Sequence, residues 1–112
     1  MSKKITVAFL IWFLISGGCQ YKKEMISAEN CSTVSYSIQI AGIIEQNCTK
    51  SGCHSAGSSN VGGPFTSYTL VKNKVAKIKQ QVASGAMPKG FALSDADKQA
   101  ISCWVDAGAP DN

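Results

Sequence analysis

The chain has 112 residues, which is room for one small domain, and a formal net charge of +4. All of its 11 basic residues are lysines, and they face 7 acids. Loss of Lys3 and Lys4 with the N-terminal segment described below would leave nine lysines against seven acids, a net charge of +2. So small a charge excludes the strongly basic surface on which nucleic-acid binding depends.

The N-terminal segment 1–18 has the pattern of an export signal. Two lysines precede an uncharged apolar run over 5–15, about half of the roughly 20 residues that a membrane-spanning helix needs. The small residues Ser16-Gly17-Gly18 then lead into Cys19, which resembles a bacterial lipobox, where the signal is cut before a cysteine that receives lipid. An ordinary signal peptide followed by an unmodified Cys19 is the alternative.

The rest of the chain predicts three or four helices and no strand. Residues 19–34 are polar and without a hydrophobic period, which indicates a tether between the lipid anchor and the domain at 35–112. Apolar residues at helical spacing, a Ser at 35 or 37 and a Ser at 94 as helix caps, and glycine-bearing loops predict helices over 36–48, 67–72, 75–84 and 94–107.

Four lysines form a basic patch on this predicted scaffold, away from the apolar side of the third helix. They are Lys72, Lys74, Lys77 and Lys79. A solvated surface is the commoner role of such a patch. A docking site for an acidic partner protein is the functional alternative.

The heptapeptide Cys48-Thr49-Lys50-Ser51-Gly52-Cys53-His54 carries the chemistry of the chain. Two thiols followed at once by an imidazole are what covalent haem attachment requires, although two residues rather than four usually separate the thiols. The thiols add to the haem vinyl groups, and the histidine becomes the proximal iron ligand. Because His54 is the only histidine, a second ligand must be of another type, and Met87 in a loop before Pro88 has the thioether that suits.

Three alternatives to haem remain open for this motif. A zinc ion could take Cys48, Cys53, His54 and one further cysteine, but adjacent Cys and His side chains reach one tetrahedral ion poorly. A Cys48–Cys53 disulfide would suit an oxidising compartment. A cysteine nucleophile would need a base, and the chain has no histidine besides the one adjoining Cys53.

Cys31 and Cys103 are left over when the other three cysteines have been assigned. Exported proteins meet an oxidising environment, so a bridge between these two is predicted. It would close a loop of about 72 residues, worth roughly 4 kcal/mol in the chain-entropy account. Two buried free thiols are the alternative.

Three blocks together resemble a small mono-haem c-type cytochrome of the bacterial lipoprotein type. They are the helix ending in the Cys48–His54 motif, the Ala86-Met87-Pro88 loop, and Leu93-Ser94-Asp95 leading into a terminal helix that stops before Pro110. Some exported cytochromes resemble this chain in having four residues between the cysteines. The resemblance covers 35–112 and implies an all-α, cytochrome c-like fold of three to four helices around one covalent haem c.

The resemblance also implies roles for single residues. Cys48 and Cys53 would form the thioethers, and His54 and Met87 would be the axial iron ligands. A backbone carbonyl of the Gly63-Pro64 pair would orient the proximal histidine, which places Pro64 in the cofactor site. A close helix crossing would pack Gly42 against Trp104.

The function implied is single-electron transfer by a membrane-anchored cytochrome, since a sixth ligand leaves no open position for a substrate. An unidentified redox partner would dock near the four lysines. Gln20 after Cys19 favours the outer membrane, with the domain facing the periplasm or cell surface. The alternative is a non-haem, disulfide-stapled exported lipoprotein that acts as a binding or accessory module.

Overall fold

The computed structural model describes residues 28–112, in which every regular element is a helix. The predicted signal peptide 1–18 and the lipidation site Cys19 lie outside these residues. The elements in chain order are a 3₁₀ helix Ala28–Thr33, a π-helical turn Tyr36–Ile40, and the α-helices α1 Ala41–Asn47, α2 Tyr68–Lys72, α3 Val75–Ala83 and α4 Asp95–Asp106. The predicted helical class is therefore confirmed for the described residues. None of their helices has the length and apolarity to span a membrane.

The π-helical turn runs directly into α1, and the two together occupy the place of the first predicted helix. Ser35 begins it, because its Oγ accepts a hydrogen bond of 3.1 Å from the Ile38 amide. The Ile40 amide donates to the Ser35 carbonyl five residues earlier, so the first turn is wider than an α-helical one. Ile40 and Ile44 are buried and turn this helix toward the core, whereas Ile38 is 82% exposed.

The next two helices lie close to their predicted ranges. Ser67 begins α2 by accepting a hydrogen bond from the Leu70 amide. Val71 of α2 is buried, as are Ile78 and Val82, which lie four residues apart on one side of α3. Ala83 at the end of α3 is exposed and does not extend this buried side.

The terminal helix α4 supplies the largest part of the core. Ser94 caps it, its Oγ accepting a hydrogen bond of 3.1 Å from the Asp97 amide. Its inner side, with the residue before its cap, is buried at Leu93, Ala100, Ile101, Cys103 and Trp104. Ala96, in the first turn of α4, is exposed.

Trp104 packs against the first helix, though not through the predicted glycine. Its ring centre lies 5.5 Å from that of Tyr36, and its Nε1 donates to the Pro110 carbonyl. A Cβ built on Gly42 would have only the Gln46 amide nitrogen, at 4.0 Å, in reach. The predicted Gly42–Trp104 contact is therefore wrong, and an aromatic pair replaces it.

A disulfide between Cys31 and Cys103 joins the 3₁₀ helix to α4, with the two Cα atoms 5.1 Å apart. The structure thus contains the predicted bridge. Val34, which follows the 3₁₀ helix, is 8% exposed and belongs to the core. Cys31 and Val34, which belong to the predicted tether 19–34, are therefore bonded or packed to the domain.

The last residue, Asn112, lies on the N-terminal end of the first helix. Its side-chain Oδ1 accepts a hydrogen bond of 2.8 Å from the Tyr36 amide, and its main-chain oxygen accepts one of 2.8 Å from the Ser37 amide. The first amides of a helix have no partner within it, so Asn112 satisfies two of them. This end of the helix is fixed by the C-terminal segment, and the opposite end carries the Cys48–His54 motif.

Candidate functional site

The Cys48–His54 motif begins where α1 ends and turns the chain back on itself. The Cys48 amide donates to the Ile44 carbonyl at 2.8 Å, as the last bond of the helix. The His54 amide then donates to the Cys48 carbonyl at 2.9 Å, and the Cys53 amide to the Lys50 carbonyl at 2.9 Å. The first cysteine and the histidine are thus neighbours through their backbones, despite the four residues between the thiols.

Both motif thiols are unbonded, and they differ in exposure. Cys53 is exposed, whereas Cys48 is half-buried and packs against the core. Burial, together with the nearby Cys53 thiol, raises the pKa of Cys48 to about 11. Since the thiolate is the reactive form of cysteine, Cys48 is a neutral and slow nucleophile at neutral pH.

The imidazole of His54 is held from two sides. Its Nδ1 lies 2.8 Å from the carbonyl oxygen of Gly63, which can only accept, so Nδ1 carries the proton and the Nε2 lone pair stays available. The ring stacks on Phe65 with centres 4.1 Å apart and planes 19° apart. A carbonyl that fixes one ring nitrogen is the usual second partner of a metal-binding histidine.

The accepting carbonyl belongs to Gly63, not to the following proline. The Gly63-Pro64 pair is therefore where the resemblance placed it, but Pro64 itself does not contribute the carbonyl that orients His54. Pro64 is partly buried between Gly63 and Phe65. A contact between Pro64 and a cofactor stays a prediction.

Met87 lies in the loop between α3 and α4. It is half-buried, its amide donates to the Gln81 carbonyl of α3 at 3.1 Å, and the following Pro88 is buried. The same loop reaches the motif, because Lys50 Nζ lies 4.5 Å from the centre of the Phe91 ring. The structure thus brings the loop of Met87 to the motif of His54, and the role of Met87 as a ligand stays a prediction.

Two of the four lysines in the predicted basic patch are engaged at the C-terminal end of α4. Lys72 Nζ donates to the carbonyls of Gly108 and Ala109, and Lys79 Nζ pairs with the Asp106 carboxylate. The hydrogen bond from Lys79 is the main cause that lowers the pKa of Asp106. These two positive charges stabilise the carbonyl end of the helix.

The other two lysines of the patch have different surroundings. Lys77 Nζ donates to the Gln80 side chain at 3.1 Å, within the same helix. Lys74 is exposed at the start of α3. Lys74 and Lys77 are therefore exposed, and among the described residues neither is paired with an acidic side chain or with the end of α4. These two lysines are the members of the patch that are available to a partner.

A cavity of about 330 Å³ lies between the first helix and the segment that follows Gly63. Phe65 and Ile44 give it an apolar wall, and Glu45 and Thr49 line it as well. Phe65 therefore separates this cavity from the His54 ring on which it stacks. Sequence reasoning missed Phe65, because nothing in its local pattern distinguishes it from an ordinary core residue.

The segment between the motif and Gly63 also contains contacts that the sequence did not reveal. Asn60 and Ser58 lie in a stretch rich in Ser, Gly and Asn, which predicted only a loop. In the structure their side chains donate hydrogen bonds to main-chain carbonyls of the motif. The tendency of Asn side chains in loops to bond nearby main-chain groups is a general signal and does not identify which carbonyls Asn60 reaches.

Comparison with known proteins adds no assignment. No protein-family model, curated protein or solved structure matches the chain. Within 28–112 there is no group of three or more His, Cys, Asp or Glu side chains arranged to share a metal ion. A haem iron needs no such group, because the porphyrin supplies four of its ligands.

Proposed function

We propose that the domain binds one haem c covalently and transfers single electrons. The observation that carries the proposal is the state of the motif: two unbonded thiols, and next to the second a histidine whose Nδ1 is held by the Gly63 carbonyl. This donor set fits the proximal side of a haem. A hydrogen bond from one ring nitrogen to a carbonyl orients the other nitrogen toward a ligand site. A disulfide-stapled loop or a histidine on the surface has no need of an imidazole oriented in this way.

Each residue of the site then has a separate task. Cys48 and Cys53 would hold the group by thioether bonds, in which each S–H adds across a vinyl double bond without oxidation or a leaving group. His54 would bind iron through Nε2 while Gly63 keeps the proton on Nδ1. Met87 is the proposed ligand on the opposite side, and the bound iron would supply a one-electron couple.

An electron carrier is preferred to an enzyme because both axial positions would be filled. A thioether ligand also favours the reduced iron and raises its potential. The loop that carries Met87 is tied to α3 by the bond from the Met87 amide to the Gln81 carbonyl, which supports a fixed rather than a transient ligand. The redox partner is proposed to be an acidic protein surface, with Lys74 and Lys77 as the available charges of the patch.

The proposed location follows from the N-terminal sequence alone. Lipid on Cys19 would anchor the chain to a bacterial membrane, with the outer membrane favoured, and the domain would face the periplasm or the cell surface. The Cys31–Cys103 disulfide suits an oxidising compartment of that kind.

The decisive experiment is expression of the full chain together with a bacterial haem-attachment system. We expect an intact mass raised by one haem and an absorbance that survives denaturation, and neither in a Cys48→Ala/Cys53→Ala variant. A colourless wild-type protein without added mass would refute the proposal and favour the non-haem lipoprotein.

A further inference from the structure

The end of the segment between the motif cysteines is held by a neighbouring loop rather than by packing. Ser51, Gly52 and Cys53 are all exposed, and Gly52 has a φ of +79° that favours glycine. A Cβ placed on Gly52 would meet nothing within 4 Å. Side-chain burial therefore does not fix the position of the second thiol, and hydrogen bonds must do so.

Asn60 supplies most of these hydrogen bonds. Its Nδ2 donates to the carbonyl oxygen of Gly52 at 2.8 Å and to that of Cys53 at 2.7 Å. The Cys53 carbonyl also accepts from Ser58 Oγ at 2.5 Å, and the same hydroxyl accepts from the Asn60 amide at 3.2 Å. Two side chains thus direct three hydrogen bonds to two consecutive carbonyls just before His54.

The main chain of Asn60 also connects to the partner of the imidazole. Its carbonyl accepts a hydrogen bond of 2.8 Å from the Gly63 amide, and the Gly63 carbonyl in turn accepts from His54 Nδ1. Asn60 is therefore bonded through its side chain to the backbone of Cys53. Through its main-chain carbonyl it is bonded to Gly63, which orients the histidine.

We propose that Asn60 is a positioning residue for haem attachment, which fixes the Cys53 thiol and the His54 ring relative to each other. The inference deepens the proposed function and rests on it. It explains how a motif with two extra residues keeps both thiols in reach of one group: the added length is tied down by Asn60 and Ser58. Without the Asn60 side-chain amide, Cys53 loses one of its two side-chain hydrogen bonds and Gly52 loses its own, and attachment through Cys48 alone becomes a substantial product.

The test compares two variants with a control in the same loop. Asn60→Ala removes the side chain, and Asn60→Asp keeps its shape but replaces the donor by an oxygen that repels the two carbonyls. Ser59→Ala, at an exposed neighbouring position, is the control. All are expressed as full chains with the haem-attachment system and compared at equal amounts of folded protein.

The number of thioether bonds is the readout, measured by the mass of the haem peptide and by the reduced absorbance band in alkaline pyridine, which shifts to longer wavelength when a vinyl group remains. We expect two bonds in the wild type and in Ser59→Ala, and at least a several-fold larger single-bond fraction in both Asn60 variants. Wild-type values in both Asn60 variants would overturn the inference.

A second measurement, on the full chain made without the attachment system, does not depend on haem. Exchange of the Cys53 and His54 amide hydrogens should be faster in Asn60→Ala by about tenfold, as expected for the loss of two hydrogen bonds. Unchanged exchange would show that the Asn60 side chain does not hold Gly52 and Cys53, and would refute the inference. Faster exchange, together with a wild type that never attaches haem, would refute the proposed function. Asn60 would then hold this segment without a role in haem attachment.

Discussion

Lys50 Nζ lies 4.5 Å from the centre of the Phe91 ring, and this contact joins the Cys48–His54 motif to the loop that carries Met87. A cation over an aromatic face contributes about 0.5–1 kcal/mol at an exposed site. Phe91 is 42% exposed, so the Lys50–Phe91 pair lies at the surface of the protein and not in the core. The two proposed iron-binding segments are thus connected in the protein itself.

Replacement of Lys50 by glutamine should loosen this connection. We expect Lys50→Gln to lower the free energy of unfolding by about 0.5–1 kcal/mol, because the cation over the ring is lost while the stem remains. Denaturant titration measures this change. Lys89→Gln, an exposed lysine of the same loop as Phe91, is the control, and an equal loss in that variant would show that the ring contact contributes nothing.

Alanine at Met87 should open the proposed sixth iron position. In the haem-loaded protein, Met87→Ala is expected to convert the ferric absorbance spectrum from low spin to high spin and to allow cyanide to bind readily. Met25→Ala, which removes a thioether from the predicted tether, is the matched control. A low-spin spectrum that is the same in Met87→Ala and wild type would rule out Met87 as a ligand.

The two motif thiols should differ in reactivity before haem is attached. The pKa of Cys48 is raised to about 11 by burial, then by the neighbouring Cys53 thiol. At pH 8 its thiolate fraction is therefore roughly 100-fold below that of an ordinary thiol, and its alkylation rate should rise about tenfold per pH unit up to its pKa. Peptide mass spectrometry of the full chain treated with iodoacetamide should show Cys53 modified first.

The same raised pKa has a consequence for stability. Between the unfolded pKa of about 8.5 and the folded value of about 11, the folded chain retains a proton that the unfolded chain releases, so stability falls as pH rises through this window. If neither thiol is alkylated unless a reductant is added, Cys48 and Cys53 are bridged. That result would contradict both the expected order of alkylation and the expected fall of stability with pH.

Removal of the Cys31–Cys103 disulfide should be among the most costly changes outside the site. The two cysteines are 72 residues apart in sequence, so their cross-link restricts most of the unfolded chain. We expect a Cys31→Ala/Cys103→Ala variant to lose about 2–4 kcal/mol of unfolding free energy. Thermal or denaturant unfolding of the wild type with and without reductant should reproduce that loss, and equal stability in both conditions would contradict it.

Asn112 should stabilise the start of the first helix. Asn112→Ala removes the acceptor of the Tyr36 amide and is expected to cost about 1 kcal/mol, comparable to the loss of a helix cap. The cost should be measurable by denaturant titration. Asn73→Ala, at an exposed asparagine after α2, serves as the control, and an equal effect of both substitutions would show that the cap has no special role.

Local features of this fold could be predicted from the sequence, whereas most features that depend on distant partners could not; the Cys31–Cys103 bridge is the exception, because these two cysteines were left over once the others had been assigned. Ser35 and Ser94 cap helices as predicted, because a cap is decided by one side chain and the amides that follow it. The wide first turn was not predicted, since helical spacing of apolar residues does not distinguish π from α over five residues.

The site shows the same division. The order of two cysteines and a histidine identifies candidate ligands, since it is written in consecutive residues. Asn60 and Phe91 could not be identified, because their partners depend on how two loops come together after folding. Nor could the sequence reveal that Lys72 donates a hydrogen bond to a carbonyl just after α4, since nothing in the sequence around a surface lysine indicates which acceptor it will meet.

The first helix separates the N-terminal segment of the domain from the Cys48–His54 motif. From Tyr36 to Asn47 it covers 12 residues, about 18 Å at the rise of an α-helix. The chain enters at Tyr36 from the segment secured by Cys31, and the cysteines and histidine of the motif follow the other end. If the proposed lipid anchor and haem are present, the tether would join the domain on the side of Tyr36. The proposed haem site would then lie at the other end of this helix, where a redox partner in solution could reach it.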